Sequence, residues 1–189
     1  RVAMSAPVAL PQISYTAPGF DAAFMASLHE YGFAAVVDHP LDGDRVARIY
    51  GEWLAFFSSG EAADFSMDPV KQDGYFSLRE AEHAKGFVER DFKEYFQFYP
   101  WGRCPESLQA DLASHFDAAV DLGAELLSCI ARSLPEAVTT ELTEPLRDMI
   151  QGSEQSMLRV LHYPPVPVGR PVLRAAPHED INLLTLLPA

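Results

Sequence analysis

The chain has 189 residues, 48% of them hydrophobic and 22% charged, and a formal net charge of -13. That length suits one domain with a substantial core, and 14 Lys and Arg against 27 Asp and Glu argue against nucleic acid and anionic membrane surfaces as partners. No apolar run approaches the ~20 residues of a membrane span, and Cys104 and Cys129 form neither a disulfide framework nor a metal-type spacing, as expected of free thiols in a reducing cytoplasm.

Residues 1–19 hold Pro7, Pro11 and Pro18 and read as an extended lead-in with a short strand at Gln12 to Tyr15. The lead-in lacks the basic-then-apolar pattern of a secretion signal, and Arg1 to Ala3, ahead of Met4, read as extraneous. Phe20, Phe24, Leu28 and Tyr31 recur at helical spacing, and Gly32 ends that helix. Phe33 to Val37 is a continuous apolar run, read as a buried strand. Pro40 and the Asp42-Gly43-Asp44 cluster supply a turn and an N-cap for the next helix. Its stripe of Val46, Ile49, Tyr50, Trp53, Leu54 and Phe57 is expected to face the core.

Residues 58–90 are polar and Gly-punctuated, as binding loops often are. Phe92, Tyr95, Phe96, Phe98 and Tyr99 then make an aromatic strand region. Pro105 opens a long helix with Leu108, Leu112, Phe116, Val120, Leu127, Ile130 and Leu134 on its buried face, and a shorter helix is expected over 136–151. Strand signals return from Met157 to Tyr163. A proline-rich loop (Pro164, Pro165, Pro167, Pro171) leads to the last segment. Helices first and strands later predict an α+β chain. Residues 1–155 form its helix-rich part with early strands, and residues 156–189 begin a β core within one continuous domain.

The last segment, Pro177-His178-Glu179-Asp180 followed by the apolar run to Leu187, reads as a buried strand entered through a polar pair. Residues two apart on a strand face the same side, so His178 and Asp180 converge. One imidazole and one carboxylate are two thirds of the 2-His-1-carboxylate triad that holds non-haem Fe(II) and leaves coordination positions open. The same residues also fit a strand-entry turn whose His and Asp are solvated or hydrogen-bonded to backbone. Spacing alone does not separate the two readings.

The stretch from Pro177 to Leu187 resembles the His-x-Asp strand of the isopenicillin N synthase-like Fe(II)/2-oxoglutarate-dependent dioxygenases. Met157 to Pro165, ending in Tyr163-Pro164-Pro165, is similar to that family's Tyr-Pro-Pro strand. Tyr31 to His39 resembles its early Gly-Phe strand, and Lys71 to Phe76 and Asp91 to Phe96 match its middle section in order. The resemblance implies a double-stranded β-helix (jelly roll) core with an N-terminal helical layer, its C-terminal barrel strands absent from this chain. It also implies Fe(II) held by His178 and Asp180, and 2-oxoglutarate as co-substrate, contacted by the Tyr163 hydroxyl. A small-molecule substrate would be oxidised by O2 with release of succinate and CO2.

Further residues are read from strand spacing and from their place near the expected pocket. Arg159, four residues before Tyr163 and by even strand spacing on the same face, is a candidate substrate contact, and so are Phe87 and Arg90, because irregular loops roof such pockets. The plainer alternatives are a barrel-lining Tyr163 and an Arg159 paired with an acidic side chain. His162 is expected on the opposite face from Tyr163 in a structural role, and Lys93 with Glu94 as a structural ion pair or cap. His29, His39, His83 and His115 have no second ligand at useful spacing. Ser14 departs from the family's usual Asp, and Leu161 from the Asn that plant members often carry.

Three family elements do not occur in these residues: the distal His ligand, the Arg-x-Ser pair that anchors 2-oxoglutarate, and the closing strands. The chain is therefore expected to be the earlier part of a longer domain, since a strand at Ile181 to Leu187 would otherwise present an unpaired apolar edge. An Fe(II) oxidase of the isopenicillin N synthase type, using no oxoacid, and a truncated non-catalytic domain stay open as alternatives. The oligomeric state is also open.

Overall fold

The computed structural model describes residues 10–80, 91–169, 172–178 and 180–188. Its elements are β1 (Gln12–Ser14), α1 (Phe20–Tyr31), β2 (Ala35–Val37), α2 (Gly43–Ser59), a 3-10 helix (Glu61–Phe65), β3 (Gly74–Phe76), β4 (Glu94–Phe98), α3 (Glu106–Ser133), α4 (Glu136–Thr139) and β5 (Leu158–His162). This is the mixed helix and sheet anticipated from the sequence. Two compact units share the chain: residues up to 41 with 121–151, and residues 42–120 with those from 152 onward.

In the first unit β1 and β2 pair in parallel, with Ile13 opposite Val36. Helix α1 stops where Gly32 adopts φ 72° and its N–H caps the Leu28 carbonyl at 2.9 Å, a left-handed turn that glycine enters without strain. Phe20 and Phe24 are its buried aromatics. The run from Phe33 is less buried than expected: Phe33 is 68% exposed and β2 is only half-buried, because its sheet has two strands and so only one flank covered. The helix expected over 136–151 is also corrected. Only the single turn of α4 forms, and Pro145, lacking an N–H, stands in the turns that follow.

The second unit is built on an antiparallel sheet of order β3-β4-β5. Its register sets Tyr75 opposite Phe96, and Phe96 in turn opposite Val160. Side chains alternate across a strand, so Phe96, Phe98 and Val160 share one face. That face packs on Ile49, Trp53 and Phe56 of α2 and on Leu112 and Phe116 of α3. Each such buried side chain contributes about 1.5–3 kcal/mol. Helix α2 begins at Asp42, whose carboxylate accepts the Arg45 N–H at 3.1 Å, as a capping aspartate should.

The buried stripe of α2 is rotated from the expected one. Tyr50 and Leu54 are 53% and 54% exposed, while Phe56, outside the expected stripe, is 4% exposed. The sheet presents a narrow aromatic surface that meets the line Ile49–Trp53–Phe56 and leaves the neighbouring ridge in solvent.

At the far end of the same sheet face, His162 Nδ1 lies 2.7 Å from Glu94 Oε1, Glu94 Oε2 accepts from the Tyr75 hydroxyl, and Phe57 stacks on the His162 ring. His162 thus has a structural role, opposite the side that alternation assigns to Tyr163. Lys93 does not pair with Glu94. Successive strand residues point to opposite faces, so Lys93 turns to Asp91 two residues back, at 2.9 Å.

The strand expected from Ile181 to Leu187 is not formed. These residues run as bends and irregular chain, with Ile181 fully exposed and Leu187 76% exposed. A strand exists through its ladder, and no described strand pairs with this segment.

Candidate metal centre

After β5 the described chain has no helix or strand, so its position rests on individual hydrogen bonds. Arg174 Nη2 donates to the carbonyls of Tyr163 and Pro164 at 2.8 and 2.9 Å. The Phe92 N–H donates to Leu173 O at 2.7 Å, and the Ala176 N–H to Asp91 Oδ1 at 2.9 Å. Near the end, the Tyr50 hydroxyl donates to Pro188 O at 3.0 Å. Exposed Tyr50, displaced from the core, thereby holds the segment that follows Asp180.

Within this tethered chain His178 and Asp180 come together without a strand. His178 Nδ1 lies 2.8 Å from Ala176 O. A carbonyl only accepts, so Nδ1 carries the proton and the lone pair of a neutral ring sits on Nε2. That nitrogen is 3.4 Å from Asp180 Oδ1. A lone pair facing a carboxylate is repulsive, and either a second proton or a cation between the two atoms relieves it.

The donor set fits a divalent transition metal. His178 Nε2 and Asp180 Oδ1, 3.4 Å apart, are close enough that one ion could be held by both. Imidazole and carboxylate are the ligands of the 2-His-1-carboxylate iron sites. The other Asp180 oxygen, Oδ2, accepts from Thr185 Oγ1 at 3.1 Å, and Asn182 Nδ2 donates to the same hydroxyl at 2.8 Å. Ligating histidines and carboxylates are commonly held in this way by an outer ring of hydrogen bonds. Both side chains are slightly over half exposed. Among the described residues no cluster of three or more His, Cys, Asp and Glu could complete a metal site.

Ala176, Asn182 and Thr185 were not singled out in the sequence. A strand reading alternates Thr185 away from Asp180, and only the irregular path returns its hydroxyl to the carboxylate. The backbone hydrogen bond of His178 is the one the plainer turn reading anticipated, and it is compatible with ligation through Nε2.

Arg159, on β5, donates to Gln97 Oε1 at 2.8 Å and lays its guanidinium 4.6 Å from the centre of the Tyr95 ring, on the sheet face away from the α2–α3 core. Tyr163 stands just past β5 on the side that alternation shares with Arg159, and the Arg174 guanidinium lies 5.6 Å from its ring centre. Phe87, with Arg90 and His83, lies outside the described residues. A groove between β1 and α1, lined by Ile13, Ala23, Ser27 and Tyr31 among others, belongs to the first unit and holds none of the candidate ligands.

Burial pushes the Cys104 thiol up to about 12, and burial with the Asp21 contact pushes Cys129 to about 11, so both stay protonated. Neither is disulfide-bonded. No helix is long and apolar enough to cross a membrane among the described residues.

No protein-family model matches the sequence. The chain is 29% identical over 194 residues to the 2-oxoglutarate-dependent dioxygenase ucsF of an Acremonium species, a match covering 87% of this chain and 56% of that protein. It superposes with a TM-score of 0.81 and 40% identity on a crystal structure from Shewanella oneidensis provisionally described as an oxygenase, over 93% of this chain and 64% of that one. A Caulobacter crescentus structure, provisionally described as a 2OG-Fe(II) oxygenase family protein, matches with a TM-score of 0.61 and 23% identity over 84% of this chain and 57% of that one, which speaks to the fold alone. The chain therefore spans a little over half the length of the curated relative and just under two thirds of the Shewanella protein. In sequence it resembles a 2-oxoglutarate-dependent dioxygenase, and in fold a protein described as a 2OG-Fe(II) oxygenase.

Proposed function

We propose that this chain belongs to a non-haem Fe(II)/2-oxoglutarate-dependent oxygenase of the isopenicillin N synthase-like, jelly-roll type that oxidises a small-molecule substrate, with His178 and Asp180 as two of the metal's ligands. The observation that carries the reading is the arrangement of the pair. In the neutral ring His178 Nε2 bears the lone pair, because Nδ1 is committed to Ala176 O, and Nε2 faces Asp180 Oδ1 at 3.4 Å. The curated relative's name and the Shewanella oneidensis structure provisionally described as an oxygenase support the same class.

Fe(II) bound with 2-oxoglutarate supplies reductive activation of O2, with succinate and CO2 released as a substrate C–H bond is oxidised. The protein's own part is positional. His178 and Asp180 would hold the metal between them, while Thr185 and Asn182 keep the carboxylate turned toward His178. The Tyr163 hydroxyl can donate to a co-substrate carboxylate as a neutral phenol, and Arg159 can meet an anionic group of the substrate. The free, protonated thiols fit a reducing, cytoplasmic setting.

The test is metal-dependent turnover of the full-length gene product. His178→Ala and Asp180→Ala should each abolish Fe(II)-dependent succinate release while leaving the thermal unfolding midpoint within a few degrees, since both side chains are largely exposed. Asp180→Glu should be damaging too, because the longer side chain displaces the ligating oxygen. Turnover retained in either alanine variant would remove the assignment. Full-rate turnover without any oxoacid would move the protein to the oxidase reading.

A further inference from the structure

We propose that Asp91, itself held by Lys93, positions His178 for metal binding by acting through the backbone of Ala176. The inference rests on the metal reading above and extends it to a residue whose carboxylate is bonded to Lys93 and the Ala176 N–H.

The three residues are among the least accessible of the second unit: Asp91, Lys93 and Ala176 are 5%, 7% and 2% exposed. Asp91 commits both carboxylate oxygens. Oδ1 accepts the Ala176 N–H at 2.9 Å, and Oδ2 accepts Lys93 Nζ at 2.9 Å. The Ala176 carbonyl then accepts His178 Nδ1 at 2.8 Å. Three hydrogen bonds thus run from a buried ammonium to the imidazole. Pro177 lies between, with its own φ set by the ring, and it restricts Ala176 to extended backbone. Once the Ala176 N–H is fixed, His178 has little freedom left.

The anchor is rigid at its other end. Lys93 immediately precedes β4, and the Phe92 N–H bonded to Leu173 O ties the same two stretches a second time. A buried ion pair is a poor source of stability, because desolvating two charges offsets most of their attraction. Here the carboxylate also fixes one amide of a segment that has no ladder of its own. His178 is more than half exposed, so packing does not orient its ring, and its contact with the anchored Ala176 does. Outer-shell partners of this kind set ligand orientation and metal affinity.

Two paired variants of the full-length protein isolate the acceptor. Asp91→Asn with Lys93→Met and Asp91→Ala with Lys93→Met both remove the charge pair, but only asparagine keeps an oxygen for the Ala176 N–H. Mn(II) binding, followed by calorimetry, should stay within about threefold of wild type in the asparagine pair and weaken by about tenfold or more in the alanine pair. Equal affinities in two folded paired variants would overturn the proposal.

If the alanine pair does not fold, amide exchange in the wild-type protein decides. The Ala176 amide, although outside any helix or strand, should exchange as slowly as those of β4, at least about tenfold slower than Ile181. Exchange as fast as Ile181 would overturn it. Unchanged Mn(II) affinity in His178→Ala would instead remove the metal reading itself, and this proposal with it. Loss of affinity in His178→Ala with no difference between the two pairs would leave the metal reading standing and remove only the role of Asp91.

Discussion

Thr185 Oγ1 donates to Asp180 Oδ2 at 3.1 Å, occupying the carboxylate oxygen that does not face His178. The same hydroxyl accepts from Asn182 Nδ2, so a short chain of polar groups sets the rotation of the Asp180 carboxylate. Thr185→Val keeps the side-chain shape and removes this donor. The variant should fold with an unchanged unfolding midpoint, since the site is exposed, and bind Mn(II) about tenfold more weakly by calorimetry. Unchanged affinity would reduce the Thr185 contact to a surface hydrogen bond.

Helix α2 offers a second prediction, because two of its apolar residues sit differently from their spacing. Trp53, 1% exposed, contacts the rings of Phe56 and Phe96 with centroids 5.1 and 4.7 Å away. Trp53→Ala should lower stability by about 3–5 kcal/mol in denaturant titration. Leu54→Ala, one residue along but 54% exposed, should change it by less than about 1 kcal/mol. Equal effects would mean that the two ridges of α2 are buried alike.

His115 provides a pH dependence. Burial, and secondarily the nearby Arg45 charge, hold its imidazole below the ordinary value of 6.5. The folded protein therefore keeps the ring neutral over a range in which the unfolded chain has taken up a proton. Stability is fully retained above 6.5 and falls as the pH drops below it, toward the folded value. His115→Leu should flatten the loss between pH 7 and pH 5.5, read as the difference in denaturant midpoints. A parallel loss in the variant would place the acid sensitivity elsewhere.

Within the candidate site, the convergence of His178 and Asp180 was legible and its mechanism was not. Alternation along a strand would bring them together, yet the segment is irregular. The pair meets through the Ala176 carbonyl, the Thr185 hydroxyl and tethers supplied by Asp91, Arg174 and Tyr50. Asp91 and Tyr50 are remote in sequence, and Thr185 is five residues from Asp180, a spacing that strand alternation sends to the opposite side. Lys93 shows the same limit. Its involvement in an ion pair was legible, but Asp91 rather than Glu94 receives it, because the pleat sends neighbouring side chains to opposite faces.

What the sequence determined by itself are the features with local causes. Gly32 ends α1, Asp42 caps α2, Pro105 opens α3 and the aromatic run makes β4, since each rests on the conformational preference or capping group of one or two residues. Tertiary structure decided the features that need a distant partner. The ridge of α2 that is buried depends on the sheet it meets, because an apolar stripe becomes core only where something covers it. Ile181 to Leu187 has every residue a strand requires and is no strand, because β structure lies in its ladder and none of the described strands pairs with it.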